Sequence, residues 1–381
     1  MPKVLLVAHW DWVLAHFRLP IAKALREHGA EVVFVCPPGE STDSLQAEGF
    51  RWVQWDVDRQ GLAPHRELGS MVRLAAIYRR ERPHAVQHFT IKPVVYGSLA
   101  ARAAGVPLAI NVFSGLGYVF SEQGRHLRRL ILPLLRRSGR APRTWTFTLN
   151  REDLALLHRL RIAPVGRSGL LPEGVDTERF RPAQESGFND VPVVLMASRL
   201  LYAKGVADLV AAAEILERRG VDVRVRIAGA PDSGNPDAVS QRDLERWKRE
   251  GRVELLGART DVDELLRSAD IAVLPTHYKE GMPWFLLEAG ASGVPLVASD
   301  VPGCREVVRD GITGLRVPTG DPDSLATAIA RLVEDPYLRA SLGAEARSVV
   351  QVEHSEGRVR DHHVDLYRRL GVLPPSAGAP P

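Results

Sequence analysis

Two glutamates stand eight positions apart at either end of a short apolar segment, and their surroundings indicate a site for a diphosphate. Pro283 suits the first turn of a helix, where its missing N–H costs nothing. The N–H groups of Gly281 and Met282 would then lie at a helix N-terminus, a position that favours phosphate. Glu280 precedes that terminus, and Glu288 lies roughly 7 Å further along the axis. One carboxylate could serve the sugar and the other the ribose of a nucleotide-sugar. Two solvated carboxylates on a surface helix are the alternative.

Two cations could neutralise the same diphosphate. Arg199 closely follows a predicted buried strand, and Lys204 begins the next predicted helix. Both would stand at a strand carboxyl end, at the level of Glu280, where open α/β sheets bind ligands. Cations and a helix terminus in this position can stabilise a departing diphosphate. Two ordinary surface charges are the alternative for this pair.

The elements that must position these residues alternate along the chain. Short apolar or β-branched runs are separated by helical patterns, which predicts an α/β fold with parallel sheets. The predicted strands are Lys3–His9, Glu31–Pro37, Phe50–Trp55, His84–Phe89, Pro107–Phe113, Trp145–Asn150, Val191–Ser198, Val223–Ala230, Val253–Gly257, Ile271–Thr276, Pro295–Ser299 and Thr313–Val317. We therefore predict two doubly wound, Rossmann-like domains, with the cleft between them as the default site.

The strand series is interrupted once, and this places the predicted boundaries. The first domain covers 1–172, a linker covers 173–190, and the second domain covers 191–354. A last helical pattern at 355–372 could cross back onto the first domain. The tail at 373–381 is rich in proline and small residues, so we expect it to be disordered.

Composition restricts the class of protein. The two cysteines, Cys36 and Cys304, fit neither a disulfide framework nor a metal cluster, which favours a reducing compartment. No run of 18 apolar residues occurs, so no membrane span is expected. The polar and aromatic residues Trp10–Trp12 end the first apolar run, which predicts a strand rather than a signal peptide.

Positive charge is concentrated in the first half of the chain. Residues 1–170 contain 24 Lys+Arg and 13 Asp+Glu, whereas the remainder contains 26 and 33, so an anionic partner is expected for the first half. Nucleic acid is disfavoured, because neither a zinc pattern nor interleaved aromatic and basic residues occur. The segment 125–143 has seven arginines and no acid. This predicts contact with an anionic membrane or lipid diphosphate through Arg125, Arg128, Arg129, Arg136 and Arg137.

An apolar face could accompany these arginines. It would comprise Leu127, Leu130, Ile131, Leu134 and Leu135. Pro133 argues against a straight helix here. A core-facing helix with solvated arginines is the alternative.

The second half carries a long series of ordered motifs. They are Arg199–Gly205, Ile227–Ala230, Leu256–Val262, Ala269–Pro275, Glu280–Ala289, Gly293–Glu306 and Asp310–Pro318. This order resembles the retaining glycosyltransferases of family 4, which have the two-Rossmann GT-B fold. In the first half, His16–Pro20, Lys92–Arg102 and Gly115–Phe120 resemble the branch that extends polyprenyl-diphosphate-linked oligosaccharides.

The resemblance implies a retaining transfer of a sugar from a nucleoside diphosphate donor, with a UDP-sugar favoured. The acceptor would be a glycan or a polyprenyl-diphosphate-linked glycan, in surface polysaccharide or glycan biosynthesis. The implied location is cytoplasmic, peripheral on the inner face of the plasma membrane. The resemblance implies that Glu280 contacts the donor sugar, that Glu288 binds the ribose, and that Arg199 and Lys204 bind the diphosphate. It implies that the base pocket is lined by Gly257, Ala258 and Arg259. It implies that the acceptor side is formed by His16, Arg18, Gly115 and Gly117.

Two departures from the family pattern leave alternatives open. The first β–α loop, Trp10–Ala15, lacks the Gly-Gly pair of many members. His88 stands near the family's donor-contacting histidine, but Phe89 could be in register instead. His88 would then be a strand-end histidine whose hydrogen bonds are satisfied within the fold.

No metal or other cofactor is expected, because Arg199, Lys204 and the helix terminus already supply positive charge. Two Asp-x-Asp strings, at 56–58 and 261–263, would be the candidates for a metal-bound nucleotide. Two alternative functions remain: a GT-B nucleotide-sugar 2-epimerase and a non-catalytic nucleotide-sugar-binding subunit.

Overall fold

The computed structural model describes residues 1–58, 61, 63–116, 120, 125–183, 189–232 and 234–375. The chain divides into two compact units. Unit 1 comprises Met1–Pro172 with Gly357–Pro381, and unit 2 comprises Glu173–Glu356. Each unit is built on its own parallel sheet, as the predicted α/β class requires.

Unit 1 contains, among its described residues, a seven-stranded sheet in the order β3-β2-β1-β4-β5-β6-β7. Its strands are β1 (Lys3–Val7), β2 (Glu31–Cys36), β3 (Arg51–Gln54), β4 (Ala85–Phe89), β5 (Leu108–Phe113), β6 (Thr144–Thr148) and β7 (Ser168–Leu170). Leu5 of β1 pairs in parallel with Val33 on one side and Val86 on the other. The central strands are buried along their length, as expected of a sheet covered on both faces.

Helices cover both faces of this sheet. They are α1 (Asp11–Phe17), α2 (Leu19–Glu27), α3 (Thr42–Ala47), α4 (Pro64–Glu81), α5 (Ile91–Ala104), α6 (Arg125–Gly139) and α7 (Arg151–Arg159). One buried cluster joins Leu5 and Val33 to Leu74 of α4. Another joins Phe113 to Leu135 of α6. The helices thus fix the carboxyl ends of the strands, where the candidate residues lie.

Unit 2 contains a six-stranded sheet in the order β10-β9-β8-β11-β12-β13 within the part of the chain that is described. Its strands are β8 (Val193–Ala197), β9 (Arg224–Ala228), β10 (Val253–Gly257), β11 (Ile271–Leu274), β12 (Leu296–Ser299) and β13 (Gly314–Val317). Its helices are α8 (Val206–Arg218), α9 (Gln241–Glu250), α10 (Val262–Arg267), α11 (Trp284–Ala291), α12 (Pro302–Val307), α13 (Pro322–Glu334) and α14 (Pro336–Glu353).

The last helix, α15 (Glu356–Arg369), packs within unit 1. The Tyr367 hydroxyl donates a 2.9 Å hydrogen bond to Oε1 of Gln87 on β4. Leu373 is buried, and its N–H bonds to the carbonyl of Tyr367, so the prediction of disorder from this residue onward is wrong at its first position. Residues 376–381 of the predicted tail lie outside the described residues.

Two local features differ from the sequence predictions. Strand β7 is absent from the predicted set, because three residues that include a glycine give no recognisable alternation. Helix α6 continues through Pro133, which removes only its own N–H from the helical ladder and does not end the helix. Among the described helices, none is long and apolar enough to cross a membrane.

Candidate active site

The predicted diphosphate residues of unit 2 follow two adjacent strands at the centre of its sheet. Arg199 and Lys204 follow β8, and Glu280 follows β11. The strand order reverses between β8 and β11, and ligands of doubly wound sheets bind outside the carboxyl ends of the strands at such a point. The topology therefore places three of the predicted residues where this fold binds its ligands.

Lys204 and Glu280 form an ion pair. Nζ of Lys204 lies 2.5 Å from Oε1 of Glu280, and the Thr276 hydroxyl lies 3.0 Å from the same oxygen. Glu280 is only 8% exposed, so its charge is held by protein groups. The Lys204 ammonium also lies 5.4 Å from the centre of the Tyr278 ring, within range of a cation–π contact.

The backbone of Ala203 joins the two loops that carry this pair. Its carbonyl accepts hydrogen bonds from the N–H groups of His277 and Tyr278, at 2.8 and 3.1 Å. Gly205 makes this approach possible, because a Cβ built there would lie 1.9 Å from the Pro275 carbonyl oxygen, and its φ is +76°. Only glycine tolerates both conditions.

Arg199 is held separately, by a residue that the sequence reasoning missed. Nη1 of Arg199 lies 2.5 Å from Oδ2 of Asp232, in the loop after β9. In the same loop, the Ala230 carbonyl accepts a hydrogen bond from the Leu200 N–H. The Asp237 carboxylate accepts a 2.8 Å hydrogen bond from the Ala203 N–H. Both cations are therefore positioned by carboxylates, and nothing in the primary sequence links these loops.

The turn before α11 differs from the prediction by one residue. Pro283 caps the helix rather than lying within its first turn, and its carbonyl accepts from the N–H groups of Leu286 and Leu287. Gly281 and Met282 are buried in this turn. Gly303 of α12 packs against it, because a Cβ there would lie 2.5 Å from the Glu280 carbonyl oxygen. The turn is thus held against α12.

Glu288 lies on α11, half-buried. Burial raises the pKa of its carboxyl to about 7, and the nearby Arg179 opposes this shift. Arg179, a second residue that the sequence reasoning missed, pairs with Asp263 at 3.0 Å and donates to the Thr260 carbonyl at 3.1 Å. A carboxyl that titrates near neutrality can bind a ribose hydroxyl in a pH-dependent way.

The predicted base-pocket residues lie at the end of β10. Gly257 ends the strand with φ +69°, and its carbonyl accepts the Gly229 N–H at 2.7 Å. Gly257, Ala258 and Arg259 are exposed. The Arg259 guanidinium pairs with Asp261, and Asp263 pairs with Arg179, so the acids of this Asp-x-Asp string bind cationic side chains. Within the described residues, no group of three or more His, Cys, Asp or Glu side chains could hold a metal ion.

His88 in unit 1 does not reach a strand-end site. Its side chain is fully buried, with Nε2 2.9 Å from the Tyr78 hydroxyl and Nδ1 2.8 Å from Oδ1 of Asn111. Gly97 leaves room for the ring, because a Cβ there would lie 2.3 Å from Nε2. Burial lowers the pKa of His88 to about 4, and the Asn111 hydrogen bond opposes this shift. The prediction of a donor contact is therefore corrected: His88 points into the core.

The acceptor-side residues are divided between surface and interior. His16 is exposed and its Nδ1 lies 3.0 Å from the Trp12 carbonyl. Arg18 is 2% exposed, with its guanidinium 4.5 Å from the centre of the Phe89 ring. Gly115 follows β5 with φ +129°. Gly117 lies outside the described residues.

The basic segment lies on α6, where the five residues of the predicted apolar face differ in exposure. Leu135 is fully buried, whereas Leu130 is 75% and Leu134 41% exposed. Arg128 donates to the Phe120 carbonyl at 3.3 Å and Arg136 to the Leu160 carbonyl at 2.8 Å. The other three predicted membrane residues, Arg125, Arg129 and Arg137, are exposed.

The two parallel-sheet units define the class of fold as two-Rossmann, and comparison with known proteins identifies the family. The family profile described as "Glycosyl transferases group 1" matches residues 178–349, and that described as "Glycosyl transferase 4-like" matches residues 3–141. The chain belongs to this glycosyltransferase family. The predicted family and type of enzyme are thereby confirmed.

Individual proteins support the same assignment. N,N'-diacetylbacillosaminyl-diphospho-undecaprenol alpha-1,3-N-acetylgalactosaminyltransferase of Campylobacter jejuni is 29% identical over 96% of this chain and 98% of its own length. UDP-Gal:alpha-D-GlcNAc-diphosphoundecaprenol alpha-1,3-galactosyltransferase of Escherichia coli is 28% identical over 72% of each chain. The solved sucrose-phosphate synthase of Thermosynechococcus elongatus shares the fold, with a TM-score of 0.81 and 22% identity over 97% of this chain and 99% of its own. The predicted GT-B fold is confirmed.

Proposed function

We propose that this chain transfers the sugar of a UDP-sugar, with retention of anomeric configuration, to a glycan carried on a polyprenyl diphosphate. The Lys204–Glu280 pair at the β8–β11 switch point is the observation that carries the proposal. A cation beside a carboxylate at a switch point suits the diphosphate and the sugar of a donor. The names of the two relatives refer to diphospho-undecaprenol-linked sugars and support the acceptor, and one of them names a UDP-sugar donor.

The chemistry follows from the charges at this point of unit 2. An ammonium has three N–H donors, so Lys204 can keep Glu280 and also bind a phosphate oxygen. Arg199 can add a second cation to the departing diphosphate, while Glu280 accepts hydrogen bonds from sugar hydroxyls. The bond from the anomeric carbon to the phosphate oxygen breaks, and its electron pair stays with UDP. The acceptor hydroxyl attacks from the same face and passes its proton to the departing phosphate, so the configuration is retained. Orientation and leaving-group stabilisation supply the rate enhancement.

The direct test is turnover with a panel of UDP-sugars and a synthetic N-acetylglucosaminyl diphosphate on a short prenyl chain. We expect a disaccharide product whose new linkage has the anomeric configuration of the donor, read from its proton NMR coupling. Release of a free 2-epimer without acceptor would support the epimerase instead. Tight donor binding without turnover on a range of acceptors would support a non-catalytic subunit.

We further propose that α6 rests on an anionic membrane surface, where a polyprenyl-linked acceptor resides. Leu130 and Leu134 are apolar, exposed and one helical turn apart, and exposed arginines flank them at Arg129 and Arg137. Apolar side chains among cations suit the boundary between acyl chains and anionic headgroups. Each cation near such a surface adds about 1 kcal/mol, and salt screens this attraction.

Vesicle sedimentation tests this surface. Leu130→Ser/Leu134→Ser should lose binding to vesicles that contain anionic lipid, and Arg129→Gln/Arg137→Gln should bind only at low salt. Leu68→Ser/Val72→Ser on α4 is the matched control, because both side chains are 58% exposed in the same unit. Equal vesicle binding by the wild type and both α6 variants would show that α6 does not contact the membrane.

A further inference from the structure

The loop after β1 carries a stack of aromatic side chains that the proposed chemistry does not use. The ring centres of Trp10 and Trp12 lie 5.1 Å apart with 24° between the planes, and those of Trp12 and His16 lie 4.5 Å apart with 26°. Phe17 meets Trp12 edge-on at 4.9 Å. Both tryptophans are only half-buried and His16 is exposed, so the stack presents aromatic surface to solvent. We call Trp10, Trp12 and His16 the aromatic stack.

The aromatic stack lies at the switch point of unit 1. Strand β1 stands between β2 and β4, and the chain proceeds outward from β1 to one edge and from β4 to the other. The stack follows β1, and Thr90 follows β4. The crevice outside these two strand ends is where an open α/β sheet binds its ligand.

Backbone strain marks the same crevice. Thr90 has φ +72° and ψ 166°, a conformation that is costly for any residue except glycine and more so for a β-branched one. Its hydroxyl lies 2.6 Å from Nδ1 of His9, which immediately precedes the stack. Strain of this kind persists where the surrounding structure imposes it, and it is concentrated at binding and catalytic sites.

The loop is also fixed from its other side. Asp11, between the two tryptophans, is 6% exposed and accepts the Ser41 N–H at 2.8 Å. Gly39 makes room for this carboxylate, because a Cβ there would lie 2.3 Å from Oδ2 of Asp11. The rings are thus held in position before a ligand arrives, which lowers the entropic cost of binding.

We propose that the aromatic stack binds the sugar ring of the acceptor that is being extended, a hexopyranose next to the lipid diphosphate. The C–H bonds on one face of a pyranose are weakly positive and pack against the negative face of an aromatic ring. Tryptophan supplies such a surface with little loss of side-chain freedom. The loop has aromatic rings where the resemblance would place a Gly-Gly pair, so it offers a flat apolar surface in place of close backbone approach. This inference rests on the proposed function, because it assigns the acceptor subsite of the same reaction.

Steady-state kinetics with the short-prenyl N-acetylglucosaminyl diphosphate probe tests the assignment. Trp12→Ala should raise the acceptor KM about tenfold, the size of one lost aromatic contact. Its kcat at saturating acceptor and its KM for the UDP-sugar should change less than about twofold. Trp12→Phe should restore most of the loss, because it restores an aromatic face. Trp145→Ala is the matched control: Trp145 is half-buried on β6 of the same unit and stacks on Phe147.

The outcomes separate this inference from the proposed function. If the wild type transfers sugar and the acceptor KM is unchanged in both Trp12→Ala and His16→Ala, the aromatic stack is not the acceptor subsite. Loss of vesicle binding in Trp12→Ala, with an unchanged KM for the soluble probe, would make the stack a membrane contact and also overturn it. If the wild type transfers no sugar, saturation-transfer NMR with the acceptor probe tests the subsite directly. Saturation transfer to one face of the pyranose that is lost in Trp12→Ala would support the subsite. Saturation transfer that is the same in Trp12→Ala would refute it.

Discussion

Removing the ammonium of Lys204 should affect stability and turnover by different routes. Lys204→Met keeps the apolar stem but deletes the charge that lies 2.5 Å from Glu280. Glu280 is 8% exposed, and its carboxylate would keep the hydrogen bond from the Thr276 hydroxyl at 3.0 Å. A charge-assisted hydrogen bond contributes about 1.5–3 kcal/mol, and removing one partner of a buried ion pair adds to the loss. We expect Lys204→Met to lower the free energy of unfolding of unit 2 by about 2–3 kcal/mol.

The double variant Lys204→Met/Glu280→Gln separates the two effects. The neutral amide removes the buried negative charge and can still bond to Thr276, so most of the lost stability should return. Turnover should not return, because the diphosphate still lacks its cation: kcat should stay about tenfold to a hundredfold below wild type, which corresponds to 1.5–3 kcal/mol. Urea unfolding and initial rates of transfer measure the two quantities on the same preparations.

An exposed ion pair in the same unit provides the matched control. Nη2 of Arg309 lies 2.6 Å from Oε1 of Glu353, with side chains 40% and 45% exposed. Exposed pairs contribute about 0–1 kcal/mol, so Arg309→Met should change unfolding by less than 1 kcal/mol and leave turnover unchanged. The reasoning fails if Lys204→Met costs no more than Arg309→Met, or if the double variant recovers turnover.

Three further predictions concern protonation and metal. Burial raises the pKa of Glu288 to about 7, and ribose hydroxyls donate hydrogen bonds to its ionised form. The Kd of a UDP-sugar, measured by calorimetric titration, should therefore rise about tenfold per pH unit below 7. Glu288→Gln should abolish this pH dependence. Burial lowers the pKa of His88 to about 4, below its unfolded value of about 6.5, so the unfolded state binds the proton first as the pH falls. The free energy of unfolding, measured by urea titration, should therefore fall between pH 6.5 and 4. It should fall less in His88→Gln, whose donor affinity at pH 8 should be unchanged. Transfer should survive excess EDTA; loss of activity that Mg²⁺ restores would instead implicate Asp56 and Asp58.

The sequence was sufficient to predict the fold class because the strands are buried on both faces. Runs such as Val4–Val7 and Val193–Met196 are apolar along their length, which is the pattern of a parallel sheet covered by helices. Strand β7 escaped prediction because Ser168–Leu170 is short and contains a glycine. The order of strands could not be predicted from any local pattern, since pairing depends on residues far apart in the chain.

Side-chain direction could not be predicted at the ends of the strands. Successive residues of a strand point to opposite faces, so a shift of one residue decides whether His88 or its neighbour Phe89 faces a given helix. The structure turns His88 toward Tyr78 and Asn111, which are 10 and 23 residues away in sequence. Asp232 was missed for a related reason: its pairing with Arg199 joins loops that are 33 residues apart.

The two units place different chemistry at equivalent points of similar sheets. In unit 1 the switch point lies between β1 and β4, and in unit 2 it lies between β8 and β11. Loop geometry is constrained at both points, by the strained Thr90 in unit 1 and by the close approach of Gly205 to Pro275 in unit 2. The side chains then determine the ligand. Paired charges at Lys204 and Glu280 can exchange partners with a diphosphate, whereas the tryptophan rings of the aromatic stack are uncharged and suit the apolar face of a sugar. The fold therefore supplies a location in each unit, and we propose that the loop residues give donor chemistry to unit 2 and acceptor chemistry to unit 1.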